Sequence, residues 1–284
     1  MMQFLPLQFD RPALARYRAL FEACFPGTDK FTEAYIEWLY VANPDGRAVG
    51  FDAWDGEQLA AHYVCLPARA QVGGEPARVL LSLNTATAPA YQGKGLFTKL
   101  AEMTYQAAAA QGYDGVYGVA NANSTPGFIR KLGFQLVRPL EARIGFGRLQ
   151  QGSRPDAAPA FERLWDRASI AWRCANPHNR VHWRRHGARL QFHAPSLSAA
   201  LPAYAELPAA ALALDPPPQA KATPPLRLYI GLLPEARGNY RNYFRIPDRL
   251  RPSPLNLIYR SFSPRVTALD PDAIHFTFLD FDAY

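Results

Sequence analysis

The chain of 284 residues has no run of about 20 uninterrupted apolar residues. Its longest candidate, near Leu197 to Leu214, is broken by Pro202, Glu206 and Pro208. No membrane span is expected. Cysteine is scarce: Cys24, Cys65 and Cys174 lie far apart, share no metal-ligand spacing and are odd in number. They read as reduced small hydrophobes, and no metal is expected. The opening "MMQFLPLQFDRP" lacks a basic segment and an apolar stretch with a cleavage site, so the expected location is cytoplasmic. Lysine is confined to Lys30, Lys94, Lys99, Lys131 and Lys221, which leaves arginine to carry the net charge of +7. Arginine's fork suits phosphates and carboxylates, so an anionic ligand fits. Apart from Arg180, Arg184, Arg185 and Arg189 the arginines are scattered, and nucleic acid is not an expected partner.

Apolar content is high enough, at 49%, for a folded globular chain. "RPALARYRALFEACF" and "FTEAYIEWLYVAN" carry apolar residues at helical spacing, the second ending before Pro44. Asp55-Gly56 and Gly73-Gly74 then punctuate strand-like segments, as in antiparallel hairpins. The pattern changes to a glycine loop, a helix over Leu96 to Gln111, a strand over Val116 to Asn121, a helix over Pro126 to Leu132 and a strand from Phe134. From about Gln150 the polar "RLQQGSRPDAAPAF" reads as a linker, which places a boundary between 1–148 and 149–284. "DPPPQAKATPP" reads as an exposed loop, and "IHFTFLDF" as a central buried strand. "EWLYVANP" and "IAWRCANP" each set a tryptophan, at offsets differing by one residue, before Ala-Asn-Pro at a helix end; this is either a chance echo in an alanine-rich chain or the mark of a second half that is a degenerate copy of the first.

The glycine loop "YQGKGLF" follows a strand and opens a helix, where free N–H groups and the helix dipole favour a phosphate. The tetrapeptide alone is weak. The dinucleotide fingerprint fails because Thr98 stands where the third glycine belongs, and no G-K-[ST] follows a four-residue spacer.

With "NANSTPGFIRKLGFQLV" some thirty residues on, "TATAPAYQGKGLFTKLAE" resembles the GNAT superfamily of acyl-CoA-dependent N-acyltransferases through Gln92, Gly95, Asn123, Lys131, Gly133 and Phe134. The resemblance implies an α/β (α+β) GNAT fold, a mixed central sheet with flanking helices, over the first part of the chain. A second GNAT-like lobe over 149–284 would contribute to the acceptor site. It implies acetyl-CoA as donor, with the backbone of Ala86 and Thr87 pairing with the pantetheine arm. The amides of Gly93, Lys94, Gly95, Leu96, Phe97 and Thr98 would hold the pyrophosphate beside Gln92, and Asn123 would orient the arm. Phe97 replaces the usual Gly or Ala, so its ring must turn away from the phosphates. Phe128 stands where the family often has a tyrosine acid, and a phenyl ring donates no proton.

A base must take a proton from the acceptor's ammonium, and His62 on a neighbouring strand and Asn84 before the pairing segment are the candidates for catalysis. The plainer reading of His62 is a surface or core histidine satisfied by hydrogen bonds, and Asn84 reads also as a polar strand end. Asp280 and Asp282, with the terminal carboxylate, are candidates for binding the amine, as in GNAT relatives of the enhanced-intracellular-survival type; the plainer reading is a solvated chain end. "EARGNYRNYFRIPDRLRP" interleaves Tyr240, Tyr243 and Phe244 with Arg237, Arg241, Arg245 and Arg249, a clamp for a nucleotide diphosphate or simply a basic loop. His182, His186 and His193 lack acidic or cysteine ligands at metal spacing. The expected activity is acetyl transfer by direct attack of a small-molecule amine, a nucleotide-linked amino sugar for surface polysaccharide being the extension the arginines suggest. The rivals are an aminoacyl-tRNA-dependent transferase of the peptidoglycan-bridge kind and a non-catalytic acyl-CoA-binding regulator.

Overall fold

The computed structural model describes residues 1–151, 158–196, 200–209, 223–234, 238–240, 242–251 and 253–282. Along the chain come β1 (Met2–Pro6), α1 (Arg11–Cys24), α2 (Glu33–Tyr40), β2 (Val49–Asp55), β3 (Gln58–Val72) and β4 (Glu75–Thr87). Next are α3 (Leu96–Ala110), β5 (Gly115–Ala120), α4 (Thr125–Leu132), β6 (Gln135–Pro139), β7 (Glu141–Phe146), β8 (Gln150–Gln151) and β9 (Phe161–Arg163). Then follow α5 (Arg167–Cys174), β10 (His182–His186), β11 (Arg189–Ala194), β12 (Ala203–Pro208) and β13 (Leu226–Gly231). The chain closes with β14 (Gly238–Asn239), β15 (Tyr243–Arg245), β16 (Asn256–Ser261) and β17 (Ile274–His275). No helix among the described residues is long and apolar enough to cross a membrane.

Two compact units form, and a cut at 148/149 does not separate them. The first comprises Met1–Ala68, Arg78–Leu136 and Ile258–Thr267; the second comprises Arg69–Ala77, Val137–Leu257 and Ala268–Tyr284. In the first unit, α1 starts where the Asp10 carboxylate accepts from the Ala13 N–H (2.9 Å), and α2 where the Thr32 hydroxyl accepts from Tyr35 (3.2 Å). Both helices bury the apolar faces their spacing foretells, α1 through Leu14, Tyr17 and Phe21. The strands run in the order β1-β2-β3-β4-β5-β16-β6. A Cβ on Gly115 would stand 2.9 Å from the Arg260 carbonyl, so glycine is what admits β16 beside β5. Arg260 anchors that strand, its guanidinium meeting Glu102 of α3 at 2.7 Å and the Leu132 carbonyl at 2.8 Å. Under α3, Tyr63, Leu80, Leu100, Tyr105, Val116, Phe128, Phe134 and Ile258 share one core.

What positions the site is the pair β4 and β5. They are parallel and in register from Val79↔Gly115 to Ser82↔Gly118, and the registered pairing stops there. Two residues on, Asn84 has φ 44°, a left-handed backbone that asparagine tolerates better than most residues.

The second unit repeats this order. Helix α5, opened by a capping box between Asp166 and Ser169, leads into the β10–β11 hairpin, β12 and a parallel partner β13, in a sheet ordered β10-β11-β12-β13-β7-β15. Strands β8 and β14 form a separate short ladder. The Ala-Asn-Pro echo has the same job twice: Asn43 Oδ1 accepts from the Asp45 N–H (3.1 Å) after α2, and Asn176 Oδ1 from the His178 N–H (2.9 Å) after α5. Here β12 and β13 share a single registered pair, Ala203↔Leu228. The C-terminal segment packs against both strands beyond it.

That segment is not the buried strand that "IHFTFLDF" suggests. Strand β17 ends at His275, Phe276 makes a lone bridge to Leu232, and Phe278–Asp280 turn into a 3₁₀ helix. The physical reason is local: Asp280 accepts from the Thr277 N–H (2.6 Å) and the Thr277 hydroxyl accepts from Leu279 (3.2 Å), a capping pair that stops extension. Buried Arg173 of α5 holds the turn by donating to the carbonyls of Phe278 (3.3 Å), Leu279 (3.2 Å) and Phe281 (2.9 Å). Replacing it, Arg173→Met, is expected to cost about 2 kcal/mol, the scale of lost charge-assisted hydrogen bonds. The loss will show as a lower denaturant midpoint and faster proteolysis around Phe276–Phe281.

Candidate active site

Where β4 and β5 part, a cleft of about 830 Å³ opens. Its floor is Ser82, Leu83, Asn84 and Thr85 of β4 with Val119 of β5; Asn121, Asn123, Ser124, Gly127 and Phe128 line one side, and Phe25, Thr28, Lys30 and Phe31 another. Phe97, from the first turn of α3, completes the lining. Among the described residues, none that lines the cleft is Asp, Glu or His.

The glycine loop behaves as its sequence implies. Gly93 and Gly95 both have φ 76°, and a Cβ on either would meet nothing within 4 Å, so backbone conformation rather than crowding selects glycine. Gly95 is the N-cap of the 15-residue α3, and no side chain caps that end. The first-turn amides therefore remain available to an anion. Gln92 straps the loop to β4 by donating to the Thr87 carbonyl (3.3 Å), and Lys94 lies over the Tyr91 ring, 4.7 Å from its centre. Thr87 also accepts from the Cys24 thiol (3.4 Å), while Ala86 is buried behind it. Thus Ala86, Thr87, Gln92, Gly93, Lys94, Gly95, Leu96, Phe97 and Thr98 form one continuous strand, loop and helix start.

Phe97 turns inward, meeting Phe128 edge-on (5.2 Å, 84°) and Tyr63 at 5.9 Å. Phe128 in turn packs on Phe134 (5.0 Å). The cleft therefore has an aromatic wall where a phenol could have stood. Asn121 Oδ1 accepts from the N–H groups of Asn123 and Ser124 (3.0 Å each), which holds the Asn123 side chain in the lining. Asn84 is also in place, and its Nδ2, shielded from solvent, has no hydrogen-bond partner among the described residues.

His62 does not belong with these groups. It is fully buried behind the cleft, its Nδ1 bonded to Asp52 Oδ1 (2.7 Å) and its Nε2 to the Tyr40 hydroxyl (3.1 Å). Tyr17 donates to Asp52 Oδ2 (2.8 Å) and lies against the imidazole (4.4 Å). Burial first, and then the Asp52 charge, push the Tyr17 phenol far above its ordinary range, so it stays a donor. Even spacing along β3 directs Tyr63 and Cys65 to one face and His62 to the other, a distinction the histidine's chemistry alone could not reveal.

Asp280 and Asp282 are likewise committed elsewhere. Asp280 caps the C-terminal turn and accepts from the Trp165 indole (3.0 Å); burial raises its carboxyl above the usual range. Asp282 is 4.0 Å from Arg173. Neither is among the residues lining the cleft. The terminal carboxylate of Tyr284, with Arg237 and Arg241, lies outside the described residues, as does most of the proline-rich insert. Tyr243 is a core residue whose hydroxyl donates to Gly147, and Arg143 covers Tyr240 at 3.9 Å, so part of the arginine and tyrosine interleaving is packing. His182 and His193 face each other across the β10–β11 pair.

Sequence reasoning missed Ser82, Asn121 and the α1–α2 connection. Thr28, Lys30 and Phe31 fit no motif; Phe31 reaches the site through stacking on Phe21 (4.4 Å, 26°). Ser82 did leave a signal, as a lone hydroxyl within the apolar "VLLSL".

Comparison with known proteins agrees with this geometry. Residues 11–137 match the family of acetyltransferase (GNAT) domains. No curated protein matches the chain. Among solved structures, a GCN5-related N-acetyltransferase from Anabaena variabilis ATCC 29413 superposes with a TM-score of 0.55 at 12% identity, covering 91% of this chain and 72% of its own. A conserved Enterococcus faecalis V583 protein described as a probable N-acyltransferase gives 0.54 at 9% identity, covering 92% and 73%. Eis1 from Mycobacterium abscessus gives 0.51 at 15%, covering 73% and 59%. Residues 11–137 thus match a GNAT acetyltransferase domain, and the fold is shared along nearly the whole length of the chain.

If the buried Asp52–His62 pair is architectural, Asp52→Ala will lower unfolding free energy by about 3 kcal/mol, as for other buried pairs stripped of one member. Chemical denaturation followed by circular dichroism measures it.

Proposed function

We propose that this GNAT-domain chain moves an acetyl group from acetyl-CoA to a small-molecule amine by direct attack. The observation that carries the reading is a cleft at the β4–β5 split whose lining includes Phe97, from the first turn of the uncapped α3, although Ala86, Thr87, Gln92 to Leu96 and Thr98 are not in that lining. The amides from Gly93 to Thr98 would hold the pyrophosphate. The backbone of Ala86 and Thr87 would pair with the pantetheine arm, and Asn123 would orient it. Open space at Gly93 and Gly95 and the unpartnered Asn84 amide fit that occupant. Acetyl-CoA supplies the activated thioester; the protein supplies placement, dryness and polar contacts.

The lining narrows the acceptor. It offers the Lys30 ammonium, rings at Phe25 and Phe31, and no carboxylate. A polycation would find no counter-charge there, whereas an acceptor bearing negative charge is attracted. A nucleotide-linked amino sugar, of the kind used for surface polysaccharide, has that character and agrees with the arginine-rich chain. With no His, Asp or Glu among the described lining residues, water is the proton acceptor that the reading assigns to the attacking amine.

The test is a titration with acetyl-CoA followed by an amine screen, UDP-amino sugars included, read as released thiol. Saturable binding and thiol release with an anionic acceptor are expected; absence of acetyl-CoA binding would sink the proposal. Gly95→Trp is expected to raise the acetyl-CoA Kd at least tenfold, because a side chain at φ 76° strains the loop and crowds the amides.

A further inference from the structure

With Phe128 in place of a phenol, the departing thiolate lacks the donor expected for it. We propose that Ser82 supplies one, its hydroxyl aimed at the thioester sulfur by a hydrogen-bonded chain through Tyr63 and Tyr105. The proposal rests on the acetyl-CoA reading above.

Ser82 is the last residue of β4 in register with β5, so it stands at the bottom of the split and lines the cleft. Its partner across the pair is Gly118, which puts no side chain beside it. Its Oγ is 2.7 Å from the Tyr63 hydroxyl, which is 2.5 Å from the Tyr105 hydroxyl. Both tyrosines are buried, and burial pushes both phenols well above their ordinary range. Neither gives up its proton at neutral pH.

Either oxygen of each pair can donate, and one direction delivers a hydrogen to the cleft. Among the described residues, the hydroxyl of Tyr105 has the Tyr63 oxygen as its hydrogen-bond partner. In that direction Tyr105 donates to Tyr63 and neither buried phenol lacks an acceptor. Tyr63 then donates to Ser82 Oγ, which leaves the hydrogen of Ser82 to the cleft or to the Cys65 sulfur. Cys65 hydrogen-bonds the Tyr63 and Ser82 hydroxyls, but burial pushes its thiol up to about 12, and a neutral sulfur is a weak acceptor that a thiolate in the cleft would outcompete. Each donor in such a chain strengthens the next.

The chemistry balances without a proton leaving Ser82. The amine nitrogen bonds to the acyl carbon, the carbon–sulfur bond breaks, and its electron pair remains on sulfur. Ser82 donates a hydrogen bond to that thiolate, and the proton that finally neutralises it comes from the nitrogen, through water. A serine hydroxyl is a far weaker acid than a thiol, so its part is stabilisation of charge at the moment it forms. Tyr63 and Tyr105 are positioning residues.

The experiment uses CoA itself as probe. The thiol of CoA bound to the wild-type protein is titrated by thiolate absorbance, and the titration is repeated with Ser82→Ala and Tyr63→Phe. In Ser82→Ala the midpoint is expected about one pH unit higher, a tenfold weaker preference for thiolate, with the Kd for CoA at low pH unchanged. In acetyl transfer its kcat is expected to fall about 10- to 100-fold, the range for a hydrogen bond to a charged group. Tyr63→Phe, which leaves Ser82 in place, should show a smaller change of the same sign. The double variant should be no worse than Ser82→Ala. Identical thiol titrations in wild type and Ser82→Ala would overturn the role of Ser82 while leaving the acetyl-CoA site standing; failure of the wild type to bind CoA would remove both.

Discussion

Parallel strands that begin hydrogen-bonded and then separate create an obligation, because the peptide groups on the two facing edges lose their natural partners. In the first unit this happens after Ser82 and Gly118, and the result is a cleft whose floor is backbone. An extended amide-bearing arm is chemically suited to such a place, since it offers alternating donors and acceptors as a strand does. The same separation gives the mouth its charge: α3 begins just beyond the end of β4, with an uncapped first turn. One divergence thus determines the groove and, through the short loop it permits, the uncapped helix N-terminus that follows β4.

The second unit meets the same obligation with its own chain. Beyond Ala203↔Leu228 the C-terminal segment supplies the contacts: Phe276 bridges to Leu232, and its carbonyl accepts from the Tyr229 hydroxyl at 3.2 Å. Gly231 is close enough that a Cβ would stand 2.0 Å from that carbonyl. Phe278, Leu279 and Phe281 are buried, so apolar groups as well as backbone stabilise this arrangement. A second lobe arranged in this way keeps the architecture of an acyl-CoA fold and uses the space for peptide.

Local signals were legible where physics is local. The helix expected over Leu96 to Gln111 spans Leu96–Ala110, and the one expected from Pro126 spans Thr125–Leu132, because caps, glycines and periodicity act within a turn or two. The glycine loop was legible for the same reason. Strand β16 was not, since "LNLIYRS" carries no mark of which distant strand it will join. His62 and Ser82 show the same limit in chemistry. Both sit on strands that leave their face undecided until register is known, and register placed the histidine in the core and the serine at the cleft.

The strand exchange also explains why the polar stretch near residue 150 misleads about boundaries. Strand β7, from before that stretch, belongs to the second unit, and Ile258–Thr267, from near the end of the chain, belongs to the first. Without β16, β5 would present an open edge, Glu102 would lose Arg260, and the core under α3 would lose Ile258. The cleft needs β5 held firmly, because any drift of that strand changes the width of the split and the reach of Ser82. A fragment ending at the linker would keep the glycine loop and every motif residue of the cofactor site, yet lack the strand that fixes their spacing. The proposed acyl-CoA site is therefore a property of the chain from both sides of its linker, although the residues that would form it all lie in one half.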